Sequence, residues 1–235
     1  MRTWLVIPAI VLVTIVFSVA VMVHMLLFQD RDVFFTYARM WSRILLRLSG
    51  VKVVVLGKEH LVQTDRYIYV SNHASMFDIP VLLAAMPDNI RIMYKHELER
   101  IPFLGWCLRM SPFIKVDRSR HREAADAIDE TVRTFATGSS VVIFPEGTRS
   151  PDGQVHAFKR GAFTLAARSG RAIIPIAILG AAAILPARTR RLKPGTVTLH
   201  IMPPQRMAEG AGRADEVELM RLVHAMIAAE VNFAA

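Results

Sequence analysis

The beginning of the chain is mostly apolar. No Lys, Arg, Asp or Glu occurs between Thr3 and Gln29, and this run exceeds the ~20 apolar residues that cross the hydrocarbon core of a bilayer. A secretory signal is the alternative interpretation, but its apolar core is normally about 7–15 residues long and precedes a small-residue cleavage site. The pattern therefore predicts a hydrophobic membrane helix over about residues 3–29.

A second, amphipathic helix is predicted over about residues 33–49. Arg39, Arg43 and Arg47 recur every four residues and would form one cationic stripe. The other side carries mainly apolar residues: Phe34, Tyr37, Trp41, Ile44, Leu45 and Leu48. Such a helix either docks on a globular domain or lies at a membrane surface, with its arginines near lipid phosphates. Because it follows the apolar segment, we favour the second interpretation and predict a two-helix membrane anchor over residues 1–50.

From residue 51 onward, short apolar runs alternate with segments of helical periodicity. The apolar runs have the length and β-branched composition of strands, and Gly138 and Gly170 stand where helix C-caps are expected. A final amphipathic helix is predicted over residues 215–233. This alternation predicts a single α/β domain over residues 51–235, with a mixed, largely central sheet flanked by helices.

The composition adds a preference for anionic partners. The 235 residues include 29 Lys and Arg against 20 Asp and Glu, which gives a formal net charge of +9. Such a surface suits nucleic acid, an acidic membrane or phosphorylated substrates, and the apolar N-terminus favours anionic membrane lipids over nucleic acid. The single cysteine, Cys107, rules out an internal disulfide and a cysteine-based zinc cluster. We expect no metal and no cofactor.

A histidine and an aspartate follow the apolar run that ends near Ser71. His73 and Asp78 are five residues apart, so an uninterrupted helix would place them on different faces. They meet only if His73 lies in a turn at the end of a strand and Asp78 opens the next helix, which Pro80 at its first turn favours. An imidazole oriented by a carboxylate is a general base. The alternative is that Asp78 merely caps the helix.

A second polar segment emerges where another buried strand is predicted to end, at Pro145. In open α/β sheets, ligands collect beyond this edge. Gly147 permits close backbone approach, and Arg149 can form paired hydrogen bonds with a phosphate or carboxylate. The alternative is an ordinary turn with a solvated arginine. Further cations lie near other predicted strand ends or at a helix start: Lys95, Lys115, Arg118, Lys159 and Arg160.

Several common motifs do not occur in the chain. It contains no G-x-S-x-G, no P-loop and no G-x-G-x-x-G, and "HELER" ends in Arg100 where a zinc-binding motif has histidine. Hydrolase, nucleotide-binding and metalloprotease functions therefore lack their usual sequence support.

Four blocks of this domain resemble those of the glycerolipid acyltransferase family. The first is Asn72-His73-x-x-x-x-Asp78 and the third is Phe144-Pro145-Glu146-Gly147-Thr148-Arg149-Ser150. The second combines Lys95-x-Glu97-Leu98, Pro102, Gly105 and Trp106 with Val116-Asp117-Arg118, and the fourth is Ile174-Pro175-Ile176. The likeness covers about residues 51–205 and is specific, because several separate blocks occur together in the family's order. Among family members, the chain is most similar to bacterial lysophosphatidate acyltransferases.

The resemblance implies an activity and a role for each block. The enzyme would transfer an acyl group from acyl-CoA or acyl-carrier protein to the sn-2 hydroxyl of lysophosphatidic acid (1-acyl-glycerol-3-phosphate), giving phosphatidic acid. His73 would be the base and Asp78 would orient it. The acceptor phosphate would be held by Glu146, Gly147, Thr148, Arg149, Arg118 and Lys95. The acyl or lipid pocket would be shaped by Pro175, Ile176 and Phe144. The positive-inside tendency favours the inner membrane, with the catalytic domain on its cytoplasmic face.

Two departures from the family pattern leave the acceptor open. Pro112 stands where the second block usually has a glycine, and Lys115 where an apolar residue is common. Glycerol-3-phosphate or another lysolipid are therefore alternative acceptors. A non-catalytic protein that binds anionic membranes and a thioester hydrolase are the remaining alternatives. The intact His73 and Asp78 block argues against the non-catalytic one, because pure binding does not need it.

Overall fold

The computed structural model describes residues 2–116, 129, 131–133, 135, 138–186, 189, 191–208 and 210–233. The helices are α1 (Arg2–Phe28), α2 (Val33–Ser49), α3 (Asp78–Ala85), α4 (Leu104–Met110), α5 (Gly161–Ser169), α6 (Ala181–Ile184) and α7 (Arg213–Phe233). The strands are β1 (Val51–Leu56), β2 (Ile68–Ser71), β3 (Ile90–Lys95), β4 (Ile114–Val116), β5 (Ser140–Ile143), β6 (Ile173–Leu179) and β7 (Gly195–Ile201). Short 3₁₀ helices span Lys58–His60 and His96–Arg100.

The strands form one mixed sheet in the order β1-β7-β6-β2-β5-β3-β4. All neighbouring pairs are parallel except β6 and β7, which are antiparallel. Every residue of the central strands β2 and β5 is buried, as expected for parallel strands covered on both faces. The predicted α/β domain with a mixed, helix-flanked sheet is confirmed. Because β2, β3, β4, β5 and β6 run in the same direction, their carboxyl ends meet at one edge.

Helices cover both faces of the sheet. On one face, the buried side chains of α2 and α3, including Phe34, Phe35 and Leu82, pack in one core with Ile174 and Ile176 of β6. On the other face, Phe163 of α5 and Val223 of α7 belong to a second core. Gly170 ends α5 in the left-handed conformation, with φ of 64°, as the sequence predicted.

Helix α1 is long and apolar enough to cross a membrane over Thr3–Phe28. Most of its large side chains are exposed, but Val21 and Met25 are buried against the domain. This helix indicates membrane association. It also packs against α2, where the indole N–H of Trp41 donates a hydrogen bond to the Thr14 hydroxyl at 3.0 Å.

Helix α2 docks on the domain, which is the interpretation that we did not favour. Its apolar face is buried against α1 and α3. The Arg39 guanidinium donates hydrogen bonds to the carbonyl oxygens of Pro87 and Asp88, at 3.3 and 2.6 Å. Arg39 is therefore not part of a free cationic stripe, whereas Arg43 and Arg47 remain exposed. A two-helix membrane anchor over residues 1–50 stays a prediction.

The docking of α2 gives Arg39 and Arg43 different environments. Arg39→Gln removes the donor from the Pro87 and Asp88 carbonyls, and we expect it to lower the free energy of unfolding by ~1.5–3 kcal/mol. Arg43→Gln is the matched control, since Arg43 is exposed. Thermal unfolding in detergent should show a lower Tm for Arg39→Gln alone. Equal Tm values for the two variants would contradict this account of α2.

Candidate active site

His73 and Asp78 form a hydrogen-bonded pair at the carboxyl edge of the sheet. Strand β2 ends at Ser71 and α3 begins at Asp78, so His73 lies in the turn between them, as the sequence predicted. The distance from His73 Nδ1 to Asp78 Oδ2 is 2.8 Å. The same oxygen accepts the backbone N–H groups of Ala74 and Ser75 at 2.8 and 2.9 Å. The carboxylate thus faces back into the histidine turn, and the alternative of a simple helix cap is wrong.

This geometry decides which ring nitrogen can act as a base. A carboxylate only accepts hydrogen bonds. The His73 Nδ1 therefore carries the ring proton and donates a hydrogen bond to Asp78. The Nε2 lone pair then lies on the other side of the ring, where no residue of the described part of the chain hydrogen-bonds to it. The His73 side chain is 17% exposed and stacks on the Phe144 ring, with centroids 4.2 Å apart and 21° between the planes. Asp78 and Phe144 together fix the imidazole.

The segment that contains Glu146 and Ser150 binds the backbone of His73. One Glu146 oxygen accepts the His73 N–H at 2.9 Å, and the other accepts the His156 N–H at 3.3 Å. The Ser150 N–H donates to the His73 carbonyl oxygen at 2.7 Å. Two sequence blocks that are more than seventy residues apart are thereby joined at the base itself. Glu146 thus holds the backbone of His73, and its contact with the acceptor phosphate stays a prediction.

The burial of Glu146 has a measurable consequence for stability. Burial raises the pKa of Glu146 above its ordinary value, although the two N–H groups oppose this effect. A carboxyl whose pKa is raised on folding binds its proton more tightly in the folded state. Its contribution to stability is therefore complete below the unfolded pKa, about 4.3, and is lost as the pH rises through the folded pKa.

Glu146→Gln should remove this pH-dependent contribution. Glutamine resembles the protonated acid in charge and keeps one oxygen to accept the His73 N–H. Above the ordinary glutamate pKa, the free energy of unfolding of the original protein should fall as the pH rises. We expect this fall to be smaller in the variant. Denaturant unfolding at a series of pH values measures it. Glu218→Gln, which changes an exposed carboxyl of α7, is the control, and an identical profile in all three proteins would refute the assignment.

Asn72 extends the strand pairing next to the base. Its side-chain N–H donates to the Ile178 carbonyl oxygen at 3.0 Å, and its carbonyl oxygen accepts the Ile178 N–H at 2.8 Å. The side chain thus takes the place of a backbone partner and holds the end of β2 against β6. The sequence analysis places Asn72 in the first block without predicting this role. A buried Asn directly after a strand is the local signal for this role.

Several cations lie at the same edge of the sheet. Arg149 is partly buried, and within the described part of the chain its guanidinium has no hydrogen-bond or ion-pair partner. Gly147 adopts φ of 76°, and a Cβ there would lie 3.0 Å from Lys159 Nζ, so the glycine leaves room for the lysine. Thr148 is exposed, as is Lys95 at the end of β3. Arg118 lies outside the described residues.

An apolar cavity of about 600 Å³ lies next to the histidine turn. Residues of that turn and of α3 form part of its wall: Met76, Phe77, Ile79, Pro80 and Leu83. The remaining wall comes mainly from α1, α2, α4 and the segment before α4. The predicted pocket residues lie elsewhere: Pro175 and Ile176 are buried within β6, and Phe144 contacts His73. None of these three residues lines this cavity, and their role in an acyl or lipid pocket stays a prediction.

The arrangement places the hydrogen-bonded His73 and Asp78 pair between a cationic edge and an apolar cavity. The acyltransferase family model matches residues 52–179. The chain belongs to the acyltransferase family.

Individual relatives agree with this assignment. The 1-acyl-sn-glycerol-3-phosphate acyltransferase LPAT1, chloroplastic, of Arabidopsis thaliana is 35% identical over 169 residues, 71% of this chain and 47% of that protein. The 1-acyl-sn-glycerol-3-phosphate acyltransferase of Borreliella burgdorferi is 33% identical over 144 residues, 61% and 58% of the two chains. The chain thus spans about half the length of the curated relatives it matches.

A solved structure extends the likeness to the whole chain. The crystal structure of the 1-acyl-sn-glycerophosphate (LPA) acyltransferase PlsC from Thermotoga maritima superposes with a TM-score of 0.73 at 26% identity. The match covers 99% of this chain and 97% of that one. The N-terminal helices are therefore included in the shared architecture.

Proposed function

We propose that the protein transfers a fatty acyl group from acyl-CoA or acyl-carrier protein to the sn-2 hydroxyl of lysophosphatidic acid, which gives phosphatidic acid. The observation that carries this proposal is the His73 and Asp78 pair, at 2.8 Å, between a cationic sheet edge and an apolar cavity. The named activity of the relatives and of the Thermotoga maritima enzyme supports the same substrate class.

The chemistry follows from the free Nε2 of His73. This nitrogen accepts the proton of the acceptor hydroxyl as its oxygen attacks the thioester carbonyl. The tetrahedral intermediate collapses with cleavage of the C–S bond, and the thiolate takes the proton from His73. The new ester and the free thiol leave, and no acyl group becomes attached to the protein. Asp78 keeps the proton on Nδ1 and stabilises the imidazolium that forms between the two steps.

The cationic edge suits the acceptor phosphate. We assign this role to Arg149, Lys159 and Lys95. Lys159 Nζ lies 3.0 Å from the position of a Cβ at Gly147, Arg149 follows that glycine by two residues, and Lys95 ends the strand β3. Charge-assisted hydrogen bonds from a guanidinium are short and directional. Gly147, Thr148 and Arg118 belong to the same proposed site. Positive charge at this edge also attracts the anionic donor.

The apolar cavity suits an acyl chain. Its wall is made almost entirely of apolar side chains, and its inner end reaches the histidine turn through Met76 and Phe77. A chain bound there is removed from water, which stabilises the complex in proportion to the apolar area buried. Helix α1 contributes to the wall and is the segment that indicates membrane association. We propose the inner membrane as the location, with the domain on the cytoplasmic face.

A single assay tests the proposal against its alternatives. The purified full chain is given labelled acyl-CoA or labelled acyl-carrier protein with lysophosphatidate, glycerol-3-phosphate or lysolipids with other headgroups. Phosphatidic acid as the main labelled product supports the proposal. Labelled product from another acceptor reassigns the substrate, and free fatty acid alone indicates a hydrolase. No turnover with any acceptor would indicate a membrane-binding protein.

A further inference from the structure

A second apolar surface lies outside α1, on the segment between β3 and β4. We call residues 98–106 the apolar lobe. Its large side chains Leu98, Ile101 and Trp106 are 38%, 44% and 46% exposed. Single exposed apolar side chains are ordinary, but a continuous exposed patch marks a contact surface. Three in nine residues, with the Phe103 ring 5.2 Å from that of Trp106, form such a patch.

The lobe is held in a defined shape. Phe103 has φ of 62° and ψ of −61°, and the Leu104 N–H donates to the Pro102 carbonyl oxygen at 2.7 Å. This is the rare, strained form of the γ-turn. A Cβ at Gly105 would lie only 2.3 Å from the Glu99 carbonyl oxygen, so glycine permits this close packing. The strain and the close packing fix the direction of the exposed side chains, as expected for a functional surface.

The lobe and α1 border the same cavity. Leu98 and Ile101 line it from one side, and Ile7 and Val11 of α1 line it from the other. All four side chains are also exposed to the outside. The cavity therefore reaches the protein surface beside these four apolar side chains.

The charges around the lobe suit anionic lipid headgroups. Arg100 within the lobe and Arg109, three residues beyond its end, are both exposed. Of the nearby acids, Glu99 accepts the Tyr94 hydroxyl at 3.0 Å and lies 3.7 Å from Lys115 Nζ. Glu97 lies 3.3 Å from His96. Tryptophan at the depth of the headgroups, flanked by arginine, is the composition of a membrane interface.

We propose that the apolar lobe is a second membrane-contact element, which inserts into the bilayer beside α1. The occupant of this surface is a lipid bilayer with anionic headgroups. The bilayer then covers the cavity opening, and an acyl chain enters sideways between α1 and the lobe without passing through water. The identity of the chain that enters rests on the function proposed above, whereas the membrane contact does not.

The depth of Trp106 tests the contact without any assay of activity. The chain has three tryptophans, so the double variant Trp4→Phe, Trp41→Phe leaves Trp106 as the reporter. The full chain is reconstituted in vesicles of phosphatidylethanolamine and phosphatidylglycerol, with or without lipids brominated high on their acyl chains. We expect the brominated lipids to quench Trp106 and the bilayer to protect it from iodide. No lipid quenching, with full access of iodide, overturns the proposal. Circular dichroism verifies that the reporter protein is folded.

A charge substitution tests the lateral entry. Trp106→Glu places a carboxylate at the bilayer surface, and we expect turnover of long-chain lysophosphatidate in vesicles to fall at least about tenfold. Turnover of a short-chain, water-soluble lysophosphatidate should be unchanged. Leu222→Glu on α7, where the leucine is 47% exposed, is the matched control and should affect neither reaction. An equal loss on both acceptors overturns lateral entry. If the wild-type chain acylates no acceptor, the proposed function is wrong. The quenching of Trp106 still tests the membrane contact in that case.

Discussion

His73→Ala should abolish acyl transfer and leave the protein folded and membrane-bound. The substitution removes the free Nε2, and the loss of a general base typically lowers the rate by about 10²–10⁴. The backbone N–H and C=O of residue 73 keep their partners Glu146 and Ser150, so the turn should keep its shape. Product formation from labelled donor measures the rate, and the thermal unfolding midpoint measures the fold.

Asp78→Asn is the companion to this variant. An asparagine oxygen can still accept the N–H groups of Ala74 and Ser75, but the negative charge beside the imidazolium is lost. We expect a smaller loss of rate than in His73→Ala, with little loss of stability. Near-normal turnover in His73→Ala would contradict the assignment of His73 as the base, whatever the result for Asp78→Asn.

Arg149→Ala should raise the KM for lysophosphatidate and largely spare kcat. A hydrogen bond to a charged group contributes ~1.5–3 kcal/mol, which corresponds to about 10- to 150-fold in affinity. If the contact acts equally in the ground and transition states, only KM changes. Arg149→Lys should recover part of the loss, because an ammonium group lacks the planar pair of donors. Initial rates at saturating co-substrate give both Michaelis constants.

The neighbouring Arg160 provides the control for this experiment. Its guanidinium lies 3.6 Å from the Glu216 carboxylate, and Arg160→Ala should leave the KM for lysophosphatidate within a small factor. The KM for the acyl donor should also stay nearly constant in Arg149→Ala. A selective rise of the donor KM would mean that Arg149 binds the donor. The acceptor and the donor would then lie at the opposite ends of the site from those proposed.

The sequence predicted those features that local patterns determine. The buried runs of β2 and β5 are apolar at every position but a terminal serine, so their strand structure and central place follow from composition. The strand-turn-helix around His73 was predicted because Pro80 favours the first turn of a helix. The sheet is also mixed, as predicted, because β7 is antiparallel to β6.

The missed features depend on contacts between distant segments. The contact of Arg39 with the carbonyls of Pro87 and Asp88 joins residues almost fifty positions apart, and no periodicity within α2 distinguishes Arg39 from Arg43. The hydrogen bond from the His73 N–H to Glu146 likewise joins residues that are distant in sequence, so no local pattern revealed it. The cavity wall combines α1 with α3 and α4, so Pro175 and Ile176 could not be separated from it before the fold was known.

The burial of Val21 and Met25 in α1 has a consequence for how the protein matures. The same helix that indicates membrane association supplies part of the core and of the cavity wall. A newly made chain whose first helix has not yet docked would expose that core and lack that wall. Completion of the core and of the cavity wall therefore requires α1 to dock on the domain. Until it docks, the chain exposes apolar surface of the kind that chaperones and proteases recognise in incompletely folded proteins.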